Sequence, residues 1–234
     1  MARHQGLADE AYDAIFAQLM ALKIPPGARI TVDNLVRELN VSQTPIREAL
    51  GRLEGEGLVI KTHLIGYSAA PQISRRRFDE LYDMRLLLEP DAAQRAARGM
   101  DESRLNILRE LAGVMHRDSG TEDRFRYSTF ARQDARFHDR IMEFAGNELI
   151  RQTLAHQHTH FHIFRLMFHS RVTEEALGEH EALLEAFAAG DAKAAKTAMQ
   201  EHIKCSRDRL LLAFEDDPEP RPEARVKGKK SQIA

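Results

Sequence analysis

Four side chains stand out by type and spacing as a place to hold a cation: Asp134, His138, His180 and His202. Asp134 and His138 are one helical turn apart, in a segment where Phe130, Phe137, Ile141 and Phe144 mark a buried stripe, and both fall within that stripe. Such a pair is the two-ligand clip that one helix offers a metal. His180 sits at the centre of the apolar face made by Ala176, Leu177, Leu183, Leu184 and Phe187, and His202 shares a face with Ala195, Ala198, Met199 and Cys205. These two segments join at Gly190-Asp191, about ten residues after His180 and about eleven before His202. At about 1.5 Å per residue both imidazoles stand roughly 15 to 17 Å from the hairpin end, level with each other. Any one of these histidines reads by itself as an ordinary core histidine. The four together, with a buried carboxylate that costs several kcal/mol when unpaired, point to a divalent cation.

The elements that must carry them are helical. From Ser74 onward, periodic segments run at about 74–99, 102–117, 122–145, 147–168, 173–189 and 192–214. Ser74, Asp101, Asn147, Thr173 and Asp191 stand as N-caps, Gly99, Gly146 and Gly190 as stops, and Pro90 is expected to kink the first helix. Residues 73–214 thus form an all-α bundle. Residues 215–234 carry three prolines, mixed charge and no apolar periodicity, and are expected to be a disordered tail.

Residues 1–72 read differently. A helix over about 8–23 stops at Pro25-Pro26-Gly27, a short one follows Thr31 with Val32, Leu35, Val36 and Leu39 inward, and a third follows Ser42 with Ile46, Ala49, Leu50 and Leu53 inward. Strands at about 58–61 and 67–70 then form a hairpin around Gly66. Three helices, the last two separated by a tight turn, followed by a hairpin describe a winged helix-turn-helix. The third helix turns Gln43, Thr44, Arg47 and Arg52 outward. Arg47 lies one turn in, where bidentate pairing with guanine is expected, while Thr44, Arg52 and the amides after Ser42 suit phosphates. Arg37, on the preceding helix, is a phosphate candidate by position.

The run Val41-Ser42-Gln43-Thr44-Pro45-Ile46-Arg47-Glu48-Ala49-Leu50, followed by Leu53-Glu54, Glu56-Gly57-Leu58-Val59 and Gly66, resembles the GntR family of bacterial transcription regulators over residues 25–70. The resemblance implies that Arg47 reads DNA and that Gly66 lets the wing tip approach the minor groove. In that family the residue after the serine is usually an arginine that touches DNA; Gln43 stands there, so a different operator preference is expected. Residues 74–214 resemble the FCD ligand-binding domain of the FadR subfamily, through Asp-x-x-Phe-His followed by Ala-Gly-Asn, then His, then His after a helical hairpin. That resemblance implies Asp134, His138, His180 and His202 as ligands of a metal that leaves positions open for a carboxylate effector. Three imidazoles and one carboxylate suit zinc or nickel better than magnesium or calcium.

Two arginines are candidates for the effector. Arg85, in Leu81-Tyr82-Asp83-Met84-Arg85, resembles the arginine that points into the subfamily's cavity; a salt bridge to Glu89 on the next turn reads equally well. Arg165 belongs to a stripe with His158, His162 and His169 beside Leu154, Phe161 and Phe168.

Composition sets the outer limits. Net charge is -2, and residues 1–70 hold seven Lys and Arg against eight Asp and Glu, so any DNA contact must come from local placement and not from bulk charge. One cysteine, Cys205, excludes an intramolecular disulfide framework, and no apolar run is long enough to span a membrane, so a cytoplasmic protein is expected. The reading is a homodimeric regulator in which a metal and a small anion in the bundle change operator affinity. Two other classes stand beside it: a metal-dependent hydrolase with an accessory winged domain, and a protein-interaction module that no longer binds nucleic acid.

Overall fold

The computed structural model describes residues 6–117, 123–166 and 170–214. The expected tail 215–234, and Phe168 and His169 of the histidine stripe, lie outside the described residues. The head begins with α1 (Leu7–Met20), which buries Tyr12, Ile15, Phe16 and Leu19. β1 (Arg29–Ile30), α2 (Val32–Leu39), α3 (Gln43–Gly55), β2 (Val59–Thr62) and β3 (Gly66–Ala69) complete it. The sheet has the order β1-β3-β2, antiparallel throughout, with Ile30 opposite Tyr67 and Val59 opposite Ala69. β1 is an element that periodicity missed: two residues are too short to show alternation. Asn40 turns α2 into α3 in the left-handed region (φ 53°), a conformation that asparagine tolerates better than most residues.

The bundle follows with α4 (Arg75–Arg98), α5 (Glu102–Arg117), α6 (Asp123–Phe144), α7 (Glu148–Ala155), α8 (Thr159–Phe164), α9 (Ser170–Ala188) and α10 (Ala192–Leu211). Ser74, Asn147 and Asp191 accept backbone N–H groups as caps, and Asp101 accepts from Arg104. α4 runs unbroken through the buried Pro90. α10 packs along α4 and α9, while α6 packs against α5 and α4 on the inside and against α1 of the head.

One expected helix is two. The segment 147–168 breaks at His158, which adopts φ 43° and ψ 36° and starts α8 afresh. This matters because the break resets the helical phase, and so changes which histidines face inward.

Head and bundle are joined through specific contacts. Arg132 of α6 pairs with Asp13 at 2.6 Å and lies 5.3 Å over the Tyr12 ring and 4.6 Å over the Phe16 ring. Phe161 of α8 meets Phe16 edge-on at 5.1 Å between centroids. At the connection, Gln72 donates to the carbonyls of Arg165 (2.8 Å) and Leu166 (3.1 Å), and Arg165 donates to the carbonyl of Ala70 (2.7 Å).

Candidate metal centre and nucleic-acid face

α6, α9 and α10 bring Asp134, His138, His180 and His202 together, all buried, with one donor atom from each lying within 4.8 Å of the others. The i, i+4 spacing sets Asp134 and His138 on the inward face of α6, and the α9–α10 hairpin places His180 and His202 level, as the residue count predicts. His180 Nε2 lies 3.1 Å from Asp134 Oδ1, yet both of its ring nitrogens are buried without a hydrogen-bond partner. His138 Nε2 lies 3.1 Å from His202 Nε2.

The far sides of those two rings explain the arrangement. His138 Nδ1 is 2.7 Å from Glu89 Oε2, and Glu89 is held in turn by Arg85, whose Nε donates to Oε1 at 2.6 Å. His202 Nδ1 is 2.8 Å from Glu179 Oε2, and Arg209 Nη2 donates to the same carboxylate at 3.0 Å. The two relays are alike: arginine, glutamate, histidine. Burial alone would push the Glu89 carboxyl up, but the Arg85 guanidinium and His138 together outweigh it and hold Glu89 well below the ordinary range. Burial likewise works against Glu179, and its hydrogen bonds from His202 and Arg209 prevail. An ionised carboxylate only accepts, so in the neutral form of each imidazole Nδ1 carries the ring proton and Nε2 presents a bare lone pair. Burial pushes the His202 imidazole down to about 3.

In that neutral form both Nε2 atoms are acceptors, so their 3.1 Å approach is not a shared hydrogen bond. They are instead spaced as two ligands of one ion: bonds of about 2.0 to 2.1 Å put tetrahedral neighbours about 3.3 Å apart. His180 Nε2, beside the Asp134 carboxylate, fits the same ion, and carboxylates behind ligating histidines are the usual outer support of such centres. The donor set therefore suits a borderline divalent cation.

The centre opens on one side to a cavity of about 580 Å³ between bundle and head. Glu89, His138 and His160 reach it from the centre, Arg132, Arg136 and Arg151 line the bundle wall, and Tyr12, Arg52 and Glu56 line the head wall. Both expected effector arginines lie elsewhere. Arg85 is spent on Glu89, the i, i+4 ion pair that its spacing also allowed. Arg165, 1% exposed, is turned to the Ala70 carbonyl because the break at His158 rephases the segment. His160, hidden among the neighbouring histidines, is what the rephased helix presents inward; no local spacing marks it. The Glu179–His202 pairing also escaped, since it joins two helices with nothing periodic to announce it.

On the head, Arg37, Gln43, Thr44 and Arg47 are exposed. Their ties are light: Gln43 donates to Asp33 at 3.0 Å and Arg47 reaches Gln43 Oε1 at 3.4 Å. Gly66 opens β3 with φ +109°, in the region that excludes most side chains, below a wing tip where Leu64 is 94% exposed. Arg52 departs from this group. Five residues beyond Arg47 it points about 140° away around the helix, pairing with Asp9 at 2.7 Å and lying 4.2 Å over the Tyr12 ring. Among the described residues no helix is long and apolar enough to cross a membrane.

Comparison with known proteins agrees with this division. Residues 7–66 match the bacterial regulatory proteins of the gntR family, and residues 80–204 match the FCD domain. The chain is 28% identical to YdhC, an HTH-type transcriptional regulator of Bacillus subtilis (strain 168), over 83% of its length and 86% of that protein. It is also 28% identical to the Uxu operon transcriptional regulator of Escherichia coli (strain K12), over 87% of its length and 88% of that protein. In fold it resembles E. coli McbR/YncC, with TM-score 0.64, 20% identity, and coverage of 89% of this chain and 99% of that one. A GntR regulator from Rhodococcus sp. RHA1 aligns with TM-score 0.66 and 20% identity over 88% and 98% of the two chains. These relatives set aside the hydrolase alternative: the chain belongs to the GntR family of DNA-binding transcriptional regulators, with an FCD domain as its C-terminal half.

Proposed function

We propose that this regulator holds a zinc or nickel ion through Asp134, His138, His180 and His202, and that a small carboxylate-type anion entering the adjoining cavity changes its affinity for operator DNA. The observation that carries the metal is the pair of Nε2 atoms turned on each other at 3.1 Å while both Nδ1 positions are spent on glutamates. When bound, the ion supplies positive charge and open coordination sites at the cavity floor. The chain's own groups do the rest: Glu89 and Glu179 fix the ring orientations, and Arg132, Arg136 and Arg151 draw and orient an anion. Relatives include an Uxu operon regulator and a probable D-xylose utilization operon repressor, which suits an effector drawn from small polar metabolites.

For DNA, Arg47 reads a base edge, Gln43 and Thr44 flank it, Arg37 contacts phosphate, and Gly66 brings the wing backbone to the minor groove. One such unit covers few base pairs, so a cytoplasmic homodimer on a palindromic operator supplies the specificity. The test is elemental analysis of the purified protein together with operator titration across salt. Near-stoichiometric zinc or nickel and a steep loss of affinity with rising salt are expected. Metal-free protein of unchanged stability rejects the centre, and salt-insensitive binding revives the interaction-module reading.

A further inference from the structure

His160 is the one imidazole of α8 that turns toward the centre. Its side chain is 14% exposed, its Nε2 is buried without a hydrogen-bond partner, and that atom lies 3.6 Å from Asp134 Oδ2. Its ring lies 4.6 Å from the His138 ring, and it lines the cavity beside it. A buried imidazole nitrogen without a partner is costly. Here it stands at the open side of the quartet, where its distance to Asp134 Oδ2 is close to that between neighbouring ligands of one ion.

The rest of α8 belongs to the head. Phe161 packs on Phe16, and His162 Nε2 lies 3.4 Å from the position that a Cβ on Gly57 would take. Just beyond the helix, the carbonyls of Arg165 and Leu166 hold Gln72 of the interdomain connection. A helix of six residues thus touches the centre with one side chain and the head with its neighbours. It has little room to move one contact without the other.

From this geometry we infer that His160 is a fifth protein donor to the metal centre, displaceable by an anion, and that α8 carries its displacement to the DNA-binding head. The inference rests on the metal reading above and adds a residue and a route to it. Competition between His160 and an anion for one place gives the ligand the differential affinity for two arrangements that any switch requires. The route is short, because the displaced residue and Phe161 are adjacent in sequence.

The test uses full-length protein stripped with chelator and reloaded with Co²⁺, whose visible absorption reports donor number and type. His160→Ala is expected to shift the bands and to weaken Co²⁺ binding by about 10-fold, while His156→Ala, at an exposed imidazole that precedes the break and lies off the cavity, leaves the bands in place. Acetate added to the wild type is expected to move its spectrum toward that of the variant. Loaded His160→Ala is then expected to bind operator DNA as the acetate-saturated wild type does. His160→Gln, with circular dichroism of each protein, guards against misfolding: the same band shift in a folded Gln variant supports the assignment. Identical bands in wild type and both His160 variants overturn it. A shifted spectrum with unchanged operator affinity overturns the transmission through α8. Wild-type protein that takes up no Co²⁺ overturns the metal reading itself, a result distinct from the other two.

Discussion

The reading face of the head and the buried centre of the bundle are built on opposite terms. On the head, Gln43, Thr44 and Arg47 are exposed and lightly tied, with contacts of 3.0 to 3.4 Å that water or a base edge can replace. In the bundle, each of two buried imidazoles is fixed by a glutamate that is itself fixed by an arginine. If these side chains meet DNA as proposed, they lose their freedom on binding, so part of the binding energy goes into ordering them. The centre's side chains are ordered by folding, with the Nε2 atoms of His138 and His202 turned on each other 3.1 Å apart. A face of the first kind tolerates variation, as Gln43 in place of the family's arginine illustrates. A centre of the second kind does not: each donor depends on the partner behind it.

Breaking the centre should therefore have the largest effect. His202→Ala removes a donor and leaves Glu179 and Arg209 without their third member; metal present at about a thousand times its Kd contributes about 4 kcal/mol to folding. For a chain of this size that corresponds to a fall in Tm of about 10 °C, read by calorimetry with and without chelator. The wild type should fall to the variant's Tm when chelated, and the variant should not respond. Equal melting of the two proteins, indifferent to chelator, removes the ion from the fold. Next in size, Arg47→Ala should weaken specific operator binding by about 1 to 3 kcal/mol and leave Tm unchanged. Fluorescence anisotropy with a labelled operator measures it, and retention of full affinity takes Arg47 off the DNA.

The same contrast decides what the sequence reveals. The quartet was legible because two of its features are periodic, the i, i+4 clip and the apolar faces around His180 and His202, and a third, the glycine at the hairpin, fixes their level. The head was legible through a long contiguous motif. What escaped depends on contacts between elements or on a single dihedral. Glu179 and His202 meet only across two packed helices. His158 at φ 43° breaks a segment whose pattern reads as one helix, which moved Arg165 from the cavity to the domain junction and brought His160 inward. Arg85 could be read two ways, and only burial beside Glu89 separates an effector contact from a support for His138.

The outer support offers a finer test of the centre. Glu179→Gln keeps the size of the side chain but removes the charge that holds the proton on His202 Nδ1. Metal affinity should drop about 10-fold, measured by competition with a chromophoric chelator, with operator affinity of the fully loaded protein unchanged. An unaffected metal affinity means that the relay orients nothing.

The smallest expected effect is the sharpest on the comparison itself. Arg52 shares a helix with Arg47 but lies about 140° away around it, with its side chain 44% exposed beside Asp9 and stacked on Tyr12 at the cavity wall. A phosphate contact and a cavity contact from one residue are mutually exclusive in this geometry. Arg52→Ala should change operator affinity by less than about 0.5 kcal/mol, the range of surface substitutions remote from a ligand. If it costs as much as Arg47→Ala in the same anisotropy titration, α3 meets DNA on two sides. The head would then have to rotate away from the bundle to bind, and the cavity would keep both of its walls only in the DNA-free form.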